Sequence, residues 1–197
     1  MVNIFVVGLG GQGTIMFSKI LSTALLEAGC NLITKETTGS THRDAPVTSE
    51  IRVGPNVRSP GIMDGEADVV VGLEPMECLR FARKYSPSAT VFVNTHPVYP
   101  PFTISRRPYP EVGEILGVLK ELTGRVVALD ATKLAEDVGG GSAANMVMLG
   151  VLVGSGILDL DLGRVEEVIS RLAPRGAEKL NVDAFRAGLR EAEKIFR

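Results

Sequence analysis

The sequence predicts an α/β fold with a mostly parallel sheet and helices on both faces, and three observations carry that prediction. Short apolar runs alternate with amphipathic segments along the 197 residues, the order produced when parallel strands are joined by crossover helices. The runs "NIFVVG" (3–8) and "ADVVVGLEP" (67–75) are close to continuously apolar, as strands covered on both faces must be. The first run leads through "GLGGQG" into a helical repeat, the strand–turn–helix opening of a nucleotide-type unit, which makes the expected fold Rossmann-like.

Each element has a local cause. From Gln12 to Ala28, the residues Ile15, Met16, Ile20, Leu21, Ala24 and Leu25 recur at helical spacing, and Gly29 stops the helix. "NLITKE" (31–36) is a second strand. "PVTSEIRVG" (46–54) alternates apolar and polar residues like a half-exposed strand, and "GPN" (54–56) is read as turning it into "VRS" to make a small hairpin or edge strand. Pro75 opens a helix over "MECLRFARKY", and "ATVFVNT" (89–95) is the next strand. Five prolines between Pro97 and Pro110 keep the following segment extended. A helix over about 111–122, a strand at 125–130, an apolar helix after Ser142 as candidate N-cap, and helices near 163–172 and 175–195 complete the chain. Without a linker, repeat or low-complexity block, residues 1–197 read as one domain.

Composition removes several function classes. Lysine and arginine number 21 against 23 acids, so no whole-chain field favours nucleic acid. No run reaches the ~18 apolar residues of a membrane helix, and the N-terminus lacks the basic start of a signal peptide, so a cytoplasmic location is expected. Cys30 and Cys78 are too few for a CxxC motif, a cluster or a zinc finger from this chain alone. Both are expected as small buried side chains, and no metal ligand or catalytic residue is assigned.

Gly8, Gly10 and Gly13 fit G-x-G-x-x-G between a strand and a helix, where glycines let backbone N–H groups and a helix N-terminus approach a phosphate. Glu36 lies about 20 residues on, the place of the ribose acid in a dinucleotide enzyme. A small NAD(P)-dependent oxidoreductase using the Gly8–Gly13 turn, a non-catalytic assembly module that binds no small molecule, and a purely packing role for the glycines therefore all stay open. Against NAD, the chain has little room for a substrate region, and neither His42 nor His96 has a carboxylate orienter nearby in sequence. Gly11 and Gln12, the chain's single glutamine, fill variable positions of the turn, and a carboxamide there can donate and accept toward a ligand or a partner backbone.

Other candidates sit at strand ends. Glu74 and Asn94 close the strands at 67–75 and 89–95, at the carboxyl edge where open α/β sheets place ligands; Glu74 alternatively caps the helix that Pro75 starts. Arg43, beside Thr41 and His42, is either an anion contact or a surface partner of Asp44. His42-Arg43-Asp44 spells a kinase triplet, accidental without the other kinase motifs. Asn145, early in the apolar helix, is expected to tie a glycine turn to its neighbours, and His96 to be an ordered loop residue.

The order and spacing of "GLGGQG", "TTGSTHRDA", "SEIRVG", "RSP", "ADVVVGLEPMECLR", "VNTHPVYPP", "YPEV", "ALDATKLAEDVG", "NMVMLG" and "NVDAFRAG" resemble, along nearly the whole chain, the γ-type subunits of 2-oxoacid:ferredoxin oxidoreductases, in particular the indolepyruvate type. The resemblance implies one subunit of an oxidative decarboxylase, inactive alone, in which a 2-oxoacid and coenzyme A give acyl-CoA, CO2 and reduced ferredoxin. It implies that thiamine diphosphate, Mg and iron–sulfur clusters sit on a larger partner. No thiamine-type G-D-G motif or cysteine array occurs in this chain. It also implies that Gly10, Gly11, Gln12 and Gly13, with Thr41, His42, Arg43, Glu74 and Asn94, serve a subunit interface or the entrance for coenzyme A or a cofactor. Self-association of the isolated chain stays open. Where the family commonly carries Gln-Arg-Gly-Gly, this chain has His42-Arg43-Asp44-Ala45, which removes two glycines that would let a backbone approach a ligand.

Overall fold

The computed structural model of this chain describes residues 1–39, 45–99 and 108–197. Its strands are β1 (Val2–Leu9), β2 (Leu32–Thr38), β3 (Pro46–Val53), β4 (Ala67–Gly72), β5 (Tyr85–Asn94) and β6 (Arg125–Leu129). The helices are α1 (Thr14–Glu27), α2 (Pro75–Arg80), α3 (Val112–Leu122), α4 (Ala131–Asp137), α5 (Ala144–Gly154), α6 (Leu162–Leu172) and α7 (Glu178–Phe196). One sheet runs in the order β2-β3-β1-β4-β5-β6. β1, β4, β5 and β6 are parallel neighbours, and β3 alone runs against its neighbours β1 and β2. The sheet is mostly parallel, as the sequence predicts.

The two-residue side-chain period divides the apolar strands between two cores. Ile4, Val6, Val69, Val71 and Phe92 pack with residues of α1, α4, α5, α6 and α7, and Phe5, Val7, Val70, Val91 and Val93 pack with residues of α2 and α3. Every residue of α5 from Asn145 to Val153 is buried, the condition of a helix that is apolar all round. α7 encloses it at a crossing where a Cβ built on Gly150 would lie 3.0 Å from the Gly188 Cα.

Several elements differ from expectation. β3 is not half-exposed, because it is inserted between β1 and β2 and its polar residues are satisfied inside. Ser49 donates to the Ser18 hydroxyl at 2.5 Å, and Glu50 accepts from the Ile62 N–H at 2.5 Å and from Lys35 at 3.4 Å. The hairpin expected after Gly54 does not form. Arg52 instead donates to the carbonyls of Ser59 and Gly61 at 3.4 and 3.0 Å, holding that segment extended. The helix after Pro75 stops at Arg80, a 3-10 turn follows at Ala82–Lys84, and β5 starts at Tyr85; Tyr85 turns inward and its hydroxyl donates to the Cys78 carbonyl. α4 was not expected, although Asp130 caps it by accepting from the Lys133 N–H at 2.9 Å. Ser142 is not the cap of α5: it lies in a 3-10 turn, and Ala143 stands at the cap position without a side-chain bond.

Of the cysteines only Cys78 is buried, and Cys30 is half-buried. Burial pushes the Cys78 thiol up to about 12, against a hydrogen bond with Tyr85 that acts the other way. The folded chain therefore keeps a proton that the unfolded chain loses above its ordinary pKa of 9.0. This contribution to stability is full below that value and is lost as pH rises toward about 12, with a slope of up to about 1.4 kcal/mol per pH unit for one proton. Urea melts between pH 8 and 11 (roughly the window that linkage sets) should show the slope, and Cys78→Ala should reduce it, leaving the part that the raised Tyr85 and Tyr109 phenols supply above their ordinary value of 10.0.

Candidate functional site

The carboxyl ends of β1 and β4 define the site, because the chain leaves β1 toward one edge of the sheet and returns through β4 on the other side. Such a switch point opens a crevice. The Leu73 N–H donates to the Val7 carbonyl at 2.8 Å, so the next rung of a parallel ladder would join the Leu9 N–H to the Leu73 carbonyl. That rung is missing. The Gln12 carboxamide stands in it, with Oε1 accepting from the Leu9 N–H at 2.7 Å and Nε2 donating to the Leu73 carbonyl at 3.2 Å. Gln12 is thus a spacer set between two strands as they diverge, and its amide dipole completes what their backbones no longer can.

The turn that positions it needs its glycines for distinct reasons. Gly11 and Gly13 have φ of +95° and +80°, values that a side chain disfavours. A Cβ on Gly13 would overlap Asn145 Nδ2, which donates to the Gly13 carbonyl at 3.2 Å. Asn145 therefore ties the first glycine turn to the start of α5 across 132 positions of sequence. Around Gly11 a Cβ would meet nothing within 4 Å. α1 starts without a side-chain cap, so the N–H groups of its first turn lack an intrahelical acceptor. Thr14 is buried beneath them, and its hydroxyl has no hydrogen-bond partner.

Asn94 meets the turn at the Leu73 carbonyl, and Glu74 stands beside it at the start of α2. Asn94 Nδ2 donates to the Leu73 carbonyl at 3.2 Å, the oxygen that Gln12 also engages, and to Thr132 at 3.0 Å. Its Oδ1 accepts from the N–H groups of Ala131 at 3.0 Å and His96 at 3.3 Å, so this side chain pins β5 to the start of α4. Glu74 is 1% exposed. It caps α2 by accepting from the Glu77 N–H at 2.7 Å, and also accepts from the Tyr109 hydroxyl at 2.5 Å and the Val98 N–H at 3.3 Å. The capping alternative for Glu74 is the one realised, with a second duty of anchoring both described ends of the proline-rich segment. Burial first, then the Glu74 carboxylate, raises the Tyr109 phenol well above its ordinary range, which favours its role as donor to Glu74. Glu74→Gln keeps the shape but turns an acceptor into an amide facing donors. It should cost about 2–3 kcal/mol by urea denaturation, and Tyr109→Phe about 1 kcal/mol.

Of the sequence candidates, Gly10, Gly11, Gln12, Gly13, Glu74 and Asn94 gather at this edge, whereas Thr41, His42 and Arg43 lie outside the described residues. The flanking Ala45 accepts from the Gly10 N–H at 3.0 Å. A Cβ on Gly39 would lie 2.7 Å from the Ala45 Cβ, so a glycine at position 39 leaves room for the Ala45 side chain. Tyr109, Thr14 and Leu73 escaped the sequence reading. Of these only Tyr109 had a signal, as part of "YPEV".

The dinucleotide alternative meets two obstacles. β3 separates β2 from β1, which places Glu36 two strand spacings, about 10 Å, from the strand that carries the turn. Gln12 also bridges the crevice with both ends of its carboxamide. His96 does have a carboxylate nearby after all, with Nδ1 4.0 Å from Asp130, a pairing across 34 residues that local sequence hides. No group of three or more His, Cys, Asp or Glu side chains among the described residues can hold a metal ion. With Cys78 buried as a thiol, these donors do not fit an iron–sulfur cluster.

Fold and site together define an open α/β protein whose nucleotide-type crevice is bridged by its own glutamine. The chain belongs to the pyruvate ferredoxin/flavodoxin oxidoreductase family, whose model matches residues 3–191. It is 38% identical over 191 residues to indolepyruvate oxidoreductase subunit IorB of Archaeoglobus fulgidus, covering 96% of this chain and 94% of that one. It has the fold of the γ subunit of a keto/oxoacid ferredoxin oxidoreductase from Geobacter sulfurreducens, with a TM-score of 0.70 and 21% identity over 98% of this chain and 99% of that one. It also matches 31% of a chain of the 2-oxoglutarate:ferredoxin oxidoreductase of Magnetococcus marinus, solved with 2-oxoglutarate, coenzyme A and succinyl-CoA bound, with a TM-score of 0.73 and 20% identity over 98% of this chain.

Proposed function

We propose that this chain is the small subunit of an indolepyruvate-type 2-oxoacid:ferredoxin oxidoreductase and that it has no turnover alone. In that reaction a 2-oxoacid loses CO2, its two electrons pass to ferredoxin, and the acyl group is taken by coenzyme A. The observation that carries the reading is the 38% identity to an indolepyruvate oxidoreductase subunit along 96% of the chain. Thiamine diphosphate, Mg and the iron–sulfur clusters belong to a larger partner, a reading supported by the poor fit of this chain's donors to a cluster. The carboxyl edge, with the glycine turn and Glu74, is the surface turned toward that partner and toward coenzyme A. No helix among the described residues is long and apolar enough to cross a membrane, which accords with a cytoplasmic complex that meets ferredoxin in solution.

Co-expression with a larger subunit bearing thiamine and cysteine-cluster motifs tests the reading. The complex should reduce ferredoxin with indolepyruvate and coenzyme A faster than with pyruvate or 2-oxoglutarate, and the chain alone should reduce none. A preference for another 2-oxoacid would reassign the substrate, and turnover by the lone chain would remove the subunit reading.

A further inference from the structure

We infer that the cleft between the end of α1 and the start of α6 binds a small zwitterion with an apolar body, an amino acid with an aliphatic side chain. The cleft is remote from the carboxyl edge, because the 14 residues of α1 carry the chain about 20 Å away from the glycine turn. The inference is independent of the reading above, since neither the larger partner nor coenzyme A enters it.

Shape comes first. The cleft has a volume of about 290 Å³, near the lower end of the range for small-molecule sites. Its walls are Ala24 and Ala28 from α1, with Leu160 and Val165 from the start of α6. Ala24 and Val165 are buried, so the floor is apolar and fixed by the core. The two alanines stand one turn apart on one side of α1, and their small side chains leave the space that larger ones would fill.

The rim supplies the charges. Arg164, Asp161 and Glu27 line the opening and are exposed. Arg164 lies in the first turn of α6, where the helix dipole disfavours a cation. It has no ion-pair partner among the described residues, because Glu27 Oε1 is taken by Arg171 and Asp161 Oδ1 caps α6 through the Arg164 N–H at 2.8 Å. A guanidinium without a partner offers paired donors to a carboxylate. Glu27 and Asp161 each use one oxygen in those contacts, and the second oxygen of each accepts from no donor among the described residues. An ammonium group has three donors for such acceptors. An anion alone would meet two carboxylates, and a cation alone would meet Arg164. A ligand with both charges and an apolar group meets each part of the cleft with its complement.

The test is an amide NMR titration of the full chain with L-leucine, with 4-methylpentanoate, which lacks the ammonium, and with 3-methylbutylamine, which lacks the carboxylate. L-leucine should move the amides of Ala24, Glu27, Ala28, Arg164 and Val165 saturably, and each singly charged analogue should bind at least about fivefold more weakly. Asp161→Asn keeps the helix cap, since Asn caps as well as Asp. It should weaken L-leucine about fivefold and leave 4-methylpentanoate unchanged or tighter. Arg164→Gln should weaken L-leucine and 4-methylpentanoate but not 3-methylbutylamine. Ala28→Leu, at an exposed position, should fill the space and abolish binding. Equal affinity for the three probes would reduce the cleft to an apolar dimple and overturn the inference. Immobility of these amides toward L-leucine, or L-leucine binding that neither charge variant weakens, overturns it as well.

Discussion

Alanine at Gly188 is expected to abolish soluble expression or to destabilise the chain by at least about 3 kcal/mol, a fall of roughly 6–12 °C in melting temperature for a chain of this size. The cause is backbone meeting backbone. A Cβ on Gly188 would overlap the Val147 carbonyl oxygen and lie 2.9 Å from the Gly150 Cα, and the reciprocal Cβ on Gly150 would overlap the Phe185 carbonyl oxygen. A flexible side chain could rotate away, but a helix backbone cannot. α5 and α7 would have to separate, and α5 is the helix whose every flank is buried, so the gap would propagate into Met146, Leu149 and Phe185 of the larger core. α3 supplies the control. Gly113 and Gly117 lie in its helix with nothing within 4 Å of a built Cβ, so alanine there should stabilise by about 0.5–1 kcal/mol through helix propensity alone. Thermal melts of Gly188→Ala and Gly117→Ala should move in opposite directions. Equal small shifts would mean that the α5–α7 crossing is looser than the structure shows.

The contrast between these glycines also shows what sequence can and cannot disclose. Continuous apolar runs announced β1 and β4 because a doubly covered strand has no face to spare for water. Helical spacing announced α1, α6 and α7 for the complementary reason. β3 misled because its alternation is genuine, yet its polar half is buried against partners such as Ser18 and Ile62, which lie 31 and 12 positions away. Local pattern cannot report a partner at that range. The same limit applies at the site. The positions of Gly10–Gly13, Glu74 and Asn94 at one edge followed from strand ends, but the meeting of Gln12 and Asn94 on the Leu73 carbonyl did not, because a backbone oxygen leaves no letter in the sequence. α4 is the exception, since Asp130 ahead of Leu134 and Ala135 is a readable cap signal, masked by the glycine run that follows.

Gly13→Ala is the second large effect expected, and it separates two contributions that the other glycines confound. At φ +80° an alanine carries the left-handed cost of roughly 1–2 kcal/mol. Its Cβ must also evict Asn145, whose Nδ2 it overlaps and whose Cγ it approaches to 3.0 Å. Eviction breaks the bond from Asn145 to the Gly13 carbonyl and leaves a buried amide without that acceptor, a further loss of about 1–3 kcal/mol. Gly11→Ala, with φ +95° but open space, isolates the conformational cost alone. In the Gly13→Ala, Asn145→Ala double variant the overlap disappears, so the pair should cost less than the sum of the singles by about 1 kcal/mol or more. Strict additivity in urea melts would show that Asn145 does not hold the turn. Measured on the co-expressed complex, the coupling has a functional counterpart. Asn145→Ala leaves the glycine turn its conformation but not its tether, so loss of ferredoxin reduction with assembly intact would show that the turn must be held rigid.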